Sequence, residues 1–176
     1  LEDLGAELFT FDGAGTLFTR GAYLQVSALS LDDLPMVEEL VGRGVAEGFL
    51  RPRPRIDVVK IAMNGLGARV ARSGHLAAIG SLETLPYLAD GVGEVTCLYT
   101  VNRFTGEGAA GQLLEGLVAR ALDAQLDAVF ACTVSARAAA FFERHGFQET
   151  DQDHVPAVKW EAYDPRLLSQ CLQYRL

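Results

Sequence analysis

The chain has 176 residues, which suits one domain with a short appendage. Hydrophobic residues make up 49% of it and charged residues 22%, a balance that is ordinary for a packed globular protein. The net charge of -8 argues against nucleic acid as a partner, because binding to phosphates needs clustered Lys and Arg. We find no apolar run of the ~20 residues that a membrane span needs and no signal peptide, so we expect a cytoplasmic protein without a membrane partner.

The cysteines and histidines do not suggest a metal site. Cys97, Cys132 and Cys171 are odd in number and form neither a zinc spacing nor a disulfide framework. Cys97 and Cys132 stand in apolar, strand-like runs, which predicts buried thiols in a reducing compartment. His145 and His154 each stand alone, so we expect no metal cofactor.

From residue 21 onward the hydrophobic pattern alternates between strand and helix periodicity. In chain order it predicts a strand at 22–28, a helix at 30–41 capped by Ser30, a short helix at 56–63, a hairpin of strands at 68–72 and 76–84, a strand at 93–101, a helix at 110–122, a strand at 127–134, a helix at 136–144 closed by Gly146, a strand at 147–150, a helix at 156–163 and a strand at 169–176. The predicted fold class is mixed α/β (α+β), with a mostly antiparallel central sheet flanked by helices. Residues 1–20 contain a glycine turn between two short strand-like pieces and differ in character from the rest.

A glycine-rich loop at 105–111, TGEGAAG, lies between a predicted strand and a predicted helix. Bare backbone N–H groups at a helix start bind anions, and glycines let a phosphate approach the main chain, so the loop favours a pyrophosphate ligand. The loop also fits the dinucleotide pattern G-x-G-x-x-G. We reject that interpretation because four residues separate the strand from Gly106, the next strand ends without an acid for a ribose, and only a short tail follows. A plain helix-capping loop is the remaining alternative.

The same loop resembles the cofactor loop of GNAT acetyltransferases. Anchored on Leu113 and Leu114, the family signature falls on Thr105, Gly106, Gly108 and Ala110, with Thr105 departing from the usual Arg or Gln. The flanking runs GEVTCLYTV and AAAFFERHGF extend the likeness, which covers 22–147 in order of elements. The resemblance implies acetyl-CoA as cosubstrate. It implies these cofactor-binding residues: Leu98, Tyr99, Thr100, Val101, Gly106, Glu107, Gly108, Ala109, Ala110 and Gly111.

The C-terminal segment is similar to the end of bacterial N-acetylglutamate synthases, in which a Pro, a basic residue, a Tyr and a Ser precede a closing strand. Here these are Pro156, Lys159, Tyr163 and Ser169. Residues 1–20, with ELFTFDGAGTLFTR, resemble the end of the amino-acid-kinase domain that precedes the GNAT domain in those synthases. The resemblance therefore divides the chain into a kinase-like tail at 1–20 and a GNAT domain at 21–176. It implies acetylation of L-glutamate, the first step of arginine biosynthesis.

Acetyl transfer to an amine needs a proton acceptor, a donor to the oxyanion and a proton for the leaving thiolate. Glu94, at the start of the strand leading into the loop, is the candidate base, and a backbone N–H near Leu98 or Tyr99 is the candidate oxyanion donor. Many GNAT enzymes have a Tyr acid where this chain has Phe142. The synthases instead imply Thr133, with Ser135 close by, although both residues also suit a simple helix cap.

A glutamate acceptor needs cations for its carboxylates. The resemblance assigns this role to Lys159, Arg53 and Arg55, with Ser169 as a further hydrogen-bonding group. The Arg-Pro run at 51–55 also suits a stiff solvated loop, and Leu167 stands where the synthases have an Arg. The sequence therefore keeps three alternatives open: a glutamate N-acetyltransferase, a GNAT enzyme acting on another small amine, and a non-catalytic acetyl-CoA-binding domain. A homo-oligomer is also left open.

Overall fold

The computed structural model describes residues 23–161 and 169–176. The tail at 1–20, Tyr163 and Leu167 lie outside the described residues. The helices and strands are β1 (Leu24–Ala28), α1 (Leu34–Ala46), α2 (Arg55–Asn64), β2 (Gly65–Val70), β3 (Leu76–Glu83), β4 (Val92–Thr100), α3 (Ala109–Asp123), β5 (Ala128–Thr133), α4 (Ala136–Arg144), β6 (Gln148–Thr150), α5 (Val158–Glu161) and β7 (Gln170–Arg175). Short 3-10 segments at Leu31–Asp33, Leu85–Asp90, Asn102–Phe104 and Gln152–His154 connect them.

The strands form one seven-stranded sheet in the order β1-β2-β3-β4-β5-β7-β6. All neighbours pair antiparallel except β4 and β5, which are parallel. The predicted mixed α/β fold with a mostly antiparallel sheet is confirmed. The placement of β7 between β5 and β6 was not predicted, because local periodicity does not determine which strands become neighbours.

The parallel contact between β4 and β5 is short. Only Val92–Glu94 pairs with Ala128–Phe130. Three residues further along β4, Cys97 has a left-handed φ of 53°. Between the cross-strand pairs Ile79–Tyr99 and Ser81–Thr96, β4 contains one more residue than β3, which is a β-bulge. Such a bulge bends a strand and leaves local peptide groups outside the ladder. The two parallel strands therefore part beyond Glu94, and a cleft opens between them.

Helix α3 fills one side of the sheet with the apolar face predicted from its leucines. Leu113, Leu114 and Leu117 are each at most 1% exposed. Glycine at position 80 of β3 permits this approach, since a Cβ there would come within 3.2 Å of Leu117. The helix is thereby fixed over β2, β3 and β4, and its N-terminus points to the cleft.

Helix α1 extends five residues beyond the predicted end at residue 41. Its glycines at 42 and 44 lower helix propensity, which is why the sequence predicts an earlier stop. The fold uses Gly44 for close packing, because a Cβ there would lie 2.8 Å from Leu50 and 3.1 Å from Tyr99. Tertiary contact therefore outweighs local propensity at this position.

Candidate active site

One cavity of about 510 Å³ lies between the second half of β4, the start of α3 and α4. We call it the loop cavity. Gly106 and Gly108, with φ of 94° and 80°, take left-handed conformations that favour glycine. The N–H groups of Ala109, Ala110 and Gly111 stand in the first turn of α3, where no intrahelical carbonyl is available to them. The loop therefore presents backbone donors to the cavity.

Eight of the ten predicted cofactor residues line this cavity. Val101 is instead buried, with its N–H bonded to the Ala77 carbonyl, and Glu107 is exposed and does not line the cavity. Thr100 adds an unexpected feature, because its Oγ1 is buried and has no hydrogen-bond partner among the described residues. A buried hydroxyl of this kind is a ready partner for a ligand.

Cations on α4 also face the loop cavity. Arg137 and Arg144 line it, as does His145, whose Nδ1 lies 2.8 Å from the Phe141 carbonyl. Sequence reasoning missed these residues. The signal was available, because basic residues on the helix after β5 become neighbours of the glycine loop once the two helices flank one cleft. The cavity thus combines backbone donors with positive side chains, a composition that suits a phosphorylated ligand.

A second cavity of about 440 Å³ lies on the other side of the cleft. We call it the Glu94 cavity. Glu94 is only 4% exposed, and both of its carboxylate oxygens have donors. The Tyr87 hydroxyl donates to Oε2 at 2.6 Å, and Lys159 Nζ lies 2.5 Å from Oε1. The predicted base and one predicted substrate cation are therefore in direct contact.

Tyr87 is a site residue that sequence reasoning missed. It comes from the 3-10 segment Leu85–Asp90, is 4% exposed, and packs edge-on against Phe130 at 5.1 Å. Burial, followed by the charge of Glu94 and their hydrogen bond, raises the pKa of Tyr87 well above its usual value. The hydroxyl therefore stays protonated and donates. No sequence motif marks this tyrosine, because its role comes only from folding.

The predicted basic residues separate in space. Arg53 lines the Glu94 cavity, and its Nε is buried without a hydrogen-bond partner among the described residues. Arg55 pairs with Glu38 at 2.7 Å on the surface and lines neither cavity. Ser169 lies just before β7 and also lines neither cavity. Of the three predicted cations, Arg53 and Lys159 share one cavity.

Thr133 and Ser135 lie where β5 passes into α4. Thr133 lines both cavities, and its Oγ1 accepts a hydrogen bond from Ser135 N at 3.1 Å. Ser135 Oγ accepts from Ala138 N at 3.4 Å and so caps α4, which matches the simpler of the two interpretations drawn from sequence. Each hydroxyl accepts in these bonds, so each keeps a proton that it can donate.

The two cavities meet in the cleft. They share five lining residues: Phe49, Leu98, Thr133, Ala138 and Phe142. Leu98 belongs to the bulged part of β4, and Thr133 ends β5, so the junction lies where the parallel strands part. A ligand in the loop cavity can therefore contact a second molecule in the Glu94 cavity.

Cys132 and Cys171 are paired across β5 and β7, with their sulfurs 3.6 Å apart. Burial raises the pKa of both thiols. Within residues 23–161 and 169–176, no group of three or more His, Cys, Asp or Glu could hold a metal ion. No helix in this part of the chain is long and apolar enough to cross a membrane.

The bulged strand β4 parts from its parallel neighbour β5, and the helix that follows the glycine loop begins at the cleft between them. Residues 72–157 match the family model of the acetyltransferase (GNAT) domain. Residues 72–157 are therefore similar to a GNAT acetyltransferase domain, and the GNAT part of the resemblance drawn from the sequence is confirmed.

Relatives point to amino-acid acetyltransferases. The chain is 29% identical over 97% of its length to the amino-acid acetyltransferase of Azotobacter vinelandii and 28% identical over 97% to that of Ralstonia nicotianae. It spans only 38% and 36% of those proteins. Among solved structures, N-acetylglutamate synthase from Neisseria gonorrhoeae, complexed with coenzyme A and N-acetyl-glutamate, matches with a TM-score of 0.78 at 23% identity, over 99% of this chain and 40% of that one. A Mycobacterium tuberculosis protein complexed with CoA matches at 0.71 and 24% identity, over 86% and 99%.

Proposed function

We propose that this chain transfers the acetyl group of acetyl-CoA to the amino group of an amino acid, L-glutamate, as the first step of arginine biosynthesis. The observation that carries the proposal is the junction of two cavities at the parting of β4 and β5, with a buried carboxylate on one side and a glycine-loop helix start on the other. The named amino-acid acetyltransferases among its relatives support the same reaction class.

The residues of the loop cavity fit acetyl-CoA. The first-turn amides of α3 suit a pyrophosphate, the left-handed Gly106 and Gly108 let it approach, and Arg137 and Arg144 add positive charge. The Thr100 hydroxyl, which has no hydrogen-bond partner among the described residues, is available to a polar group of acetyl-CoA. When bound, acetyl-CoA supplies an activated thioester whose acyl end can reach the cavity junction.

At the junction, the described residues can perform the proton transfers that the reaction needs. Glu94 takes the proton of the acceptor amine, directly or through water, so that the nitrogen lone pair can attack. The backbone N–H of Leu98, in the bulge, donates to the carbonyl oxygen as it gains charge. The Thr133 hydroxyl gives a proton to the departing thiolate and regains one from solvent, while Glu94 releases the amine proton to solvent. The Ser135 N–H donates to Thr133 Oγ1 at the helix cap.

Arg53 is the cation best placed for the acceptor's carboxylate. Its buried Nε has no partner among the described residues, and a guanidinium binds a carboxylate through two parallel hydrogen bonds. Lys159 lines the same cavity and contacts Glu94, so its ammonium group is a second candidate for binding the acceptor's carboxylate. Arg55 and Ser169 do not line the Glu94 cavity, so they could act on the acceptor only from outside it.

A second candidate function is acetylation of another small amine. The observation that favours it is that Asp57 and Glu83 also line the Glu94 cavity. Carboxylates there disfavour a dicarboxylic acceptor and favour one with a second amino group. Glutamine and ornithine are therefore informative comparisons with glutamate.

The test is a screen of free amino acids for thiol release from acetyl-CoA, with products identified by mass. The proposal expects N-acetylglutamate, with glutamine a poor acceptor, and expects Glu94→Gln to lower turnover. Equal rates with glutamine would remove the glutamate assignment, and a preference for ornithine would select the second candidate. Thiol release that is unchanged by Glu94→Gln, or the absence of any acetylated amino acid, would overturn the catalytic proposal.

A further inference from the structure

The Glu94 carboxylate is held from two sides by residues of different elements. Lys159 of α5 contacts Oε1, and Tyr87 of the 3-10 segment Leu85–Asp90 donates to Oε2. A carboxylate oxygen has about two acceptor sites, so one remains on each oxygen. The two contacts fix the carboxylate plane and leave acceptor capacity for a proton arriving from the cavity.

The tyrosine hydroxyl has no structural task beyond this bond. The ring of Tyr87 is already fixed by edge-on packing against Phe130 and by the small cluster that also includes Val155 and Cys171. Among the described residues, the hydroxyl forms a hydrogen bond to Glu94 alone. A phenylalanine would keep the packing, so the polar contact is separable from the fold.

The other titratable groups that face Glu94 act in both directions. Glu83 of β3 lies directly opposite in the strand register, and a like charge there disfavours a second carboxylate. Burial is the main cause of the raised thiol pKa values of Cys132 in β5 and Cys171 in β7, and the nearby charge of Glu94 raises them further. Lys159 and Tyr87 are the groups in hydrogen-bond contact with the carboxylate, and Arg53 and Asp57 line the same cavity.

We propose that Tyr87 is a positioning residue that holds the Glu94 carboxylate in the correct orientation as the proton acceptor, working with Lys159. This inference rests on the proposed function for its kinetic test. It adds a residue that the sequence motifs do not mark, and it explains how a carboxylate that is 4% exposed beside Glu83 can still serve as a base. Without the hydroxyl, the carboxylate of Glu94 loses one stabilising hydrogen bond, so we expect the base to become active only at higher pH.

The test compares the pH–rate profile of the parent chain with that of Tyr87→Phe. We expect the acid limb to move up by about one pH unit, which is a loss of roughly tenfold in rate on that limb, while the high-pH plateau changes by less than about threefold. Tyr174→Phe is the matched control, since Tyr174 packs on Phe147 away from both cavities and should leave the profile unchanged.

A second variant and a second measurement keep the test decisive. Lys159→Met should move the acid limb in the same direction. The pH titration of the ¹³C-labelled Glu94 carboxyl by NMR reports the same change without any substrate, so it is independent of the acceptor's identity. A uniform loss of rate at all pH values, or a Glu94 titration that is the same in Tyr87→Phe and the parent, would overturn the proposal. If the parent chain has no activity, but the Glu94 titration differs between Tyr87→Phe and the parent, the result counts against the proposed function alone.

Discussion

Replacing Gly108 with aspartate should abolish the stabilisation of the fold by acetyl-CoA. Gly108 precedes α3 with φ of 80°, and a Cβ there would meet nothing closer than Gln112 at 3.8 Å, so an aspartate fits without a clash. Its carboxylate would compete with the pyrophosphate for the first-turn amides and repel it. The left-handed conformation itself costs a non-glycine residue ~1–2 kcal/mol.

Gly74 supplies the matched control. It has φ of 71° in the β2–β3 turn, with nothing within 4 Å of an added Cβ, and it lines neither cavity. Gly74→Asp should therefore cost a similar backbone strain, about 2–8 °C in Tm for a chain of this size. A difference between the two variants in the Tm rise with acetyl-CoA is then caused by the change in the glycine loop and not by backbone strain.

Thermal unfolding with and without acetyl-CoA is the assay. A ligand at about a hundred times its Kd stabilises the native state by ~2.7 kcal/mol, or about 5–10 °C in Tm. We expect that rise in the parent and in Gly74→Asp, and none in Gly108→Asp. An equal rise in all three would place the ligand elsewhere, and no rise in the parent at millimolar acetyl-CoA would refute the cofactor assignment.

Three further predictions concern individual side chains. Glu94→Gln should lower turnover about 100-fold or more and remove the acid limb of the pH profile, while the Tm rise with acetyl-CoA persists; an unchanged limb would assign the proton to another acceptor. Lys159→Ala should raise the KM for glutamate far more than that for acetyl-CoA, and unaltered glutamate kinetics would exclude the contact. Burial raises the pKa of Cys97 to about 11, so the folded chain should resist iodoacetamide at pH 8 and react once it is unfolded in urea. Because this thiol ionises at a lower pH in the unfolded chain than in the folded one, it should also make the free energy of unfolding fall as pH rises above 9.

The sequence predicts the order and type of the elements well because most of them carry their own local signals. Leucine spacing marks α3, Gly146 ends α4, and the Ser73-Gly74 turn joins two strands. The exceptions have long-range causes. Helix α1 continues past Gly44 because Leu50 and Tyr99 pack where a side chain at that position would otherwise stand.

The candidate site is harder to predict, because its members come from separate elements. The glycine loop and Glu94 could be identified from one continuous resemblance spanning 93–147. Tyr87 could not be identified in this way, because its role depends on a 2.6 Å hydrogen bond to Glu94 that forms only in the folded chain. The neighbouring arginines Arg53 and Arg55 look equivalent in sequence, yet one lines the Glu94 cavity and the other pairs with Glu38 at the surface.

We propose that acetyl-CoA and an amino acid react at the junction of the two cavities. The most direct test is calorimetric binding of a bisubstrate compound, in which the sulfur of coenzyme A is joined through a carbonylmethyl bridge to the amino nitrogen of L-glutamate. We expect it to bind ~100-fold more tightly than coenzyme A, because both cavities are occupied at once. Arg53→Gln should remove ~30-fold or more of that advantage and leave coenzyme A affinity nearly unchanged. Equal affinity for the bisubstrate compound and coenzyme A in the parent chain would contradict the two-cavity account.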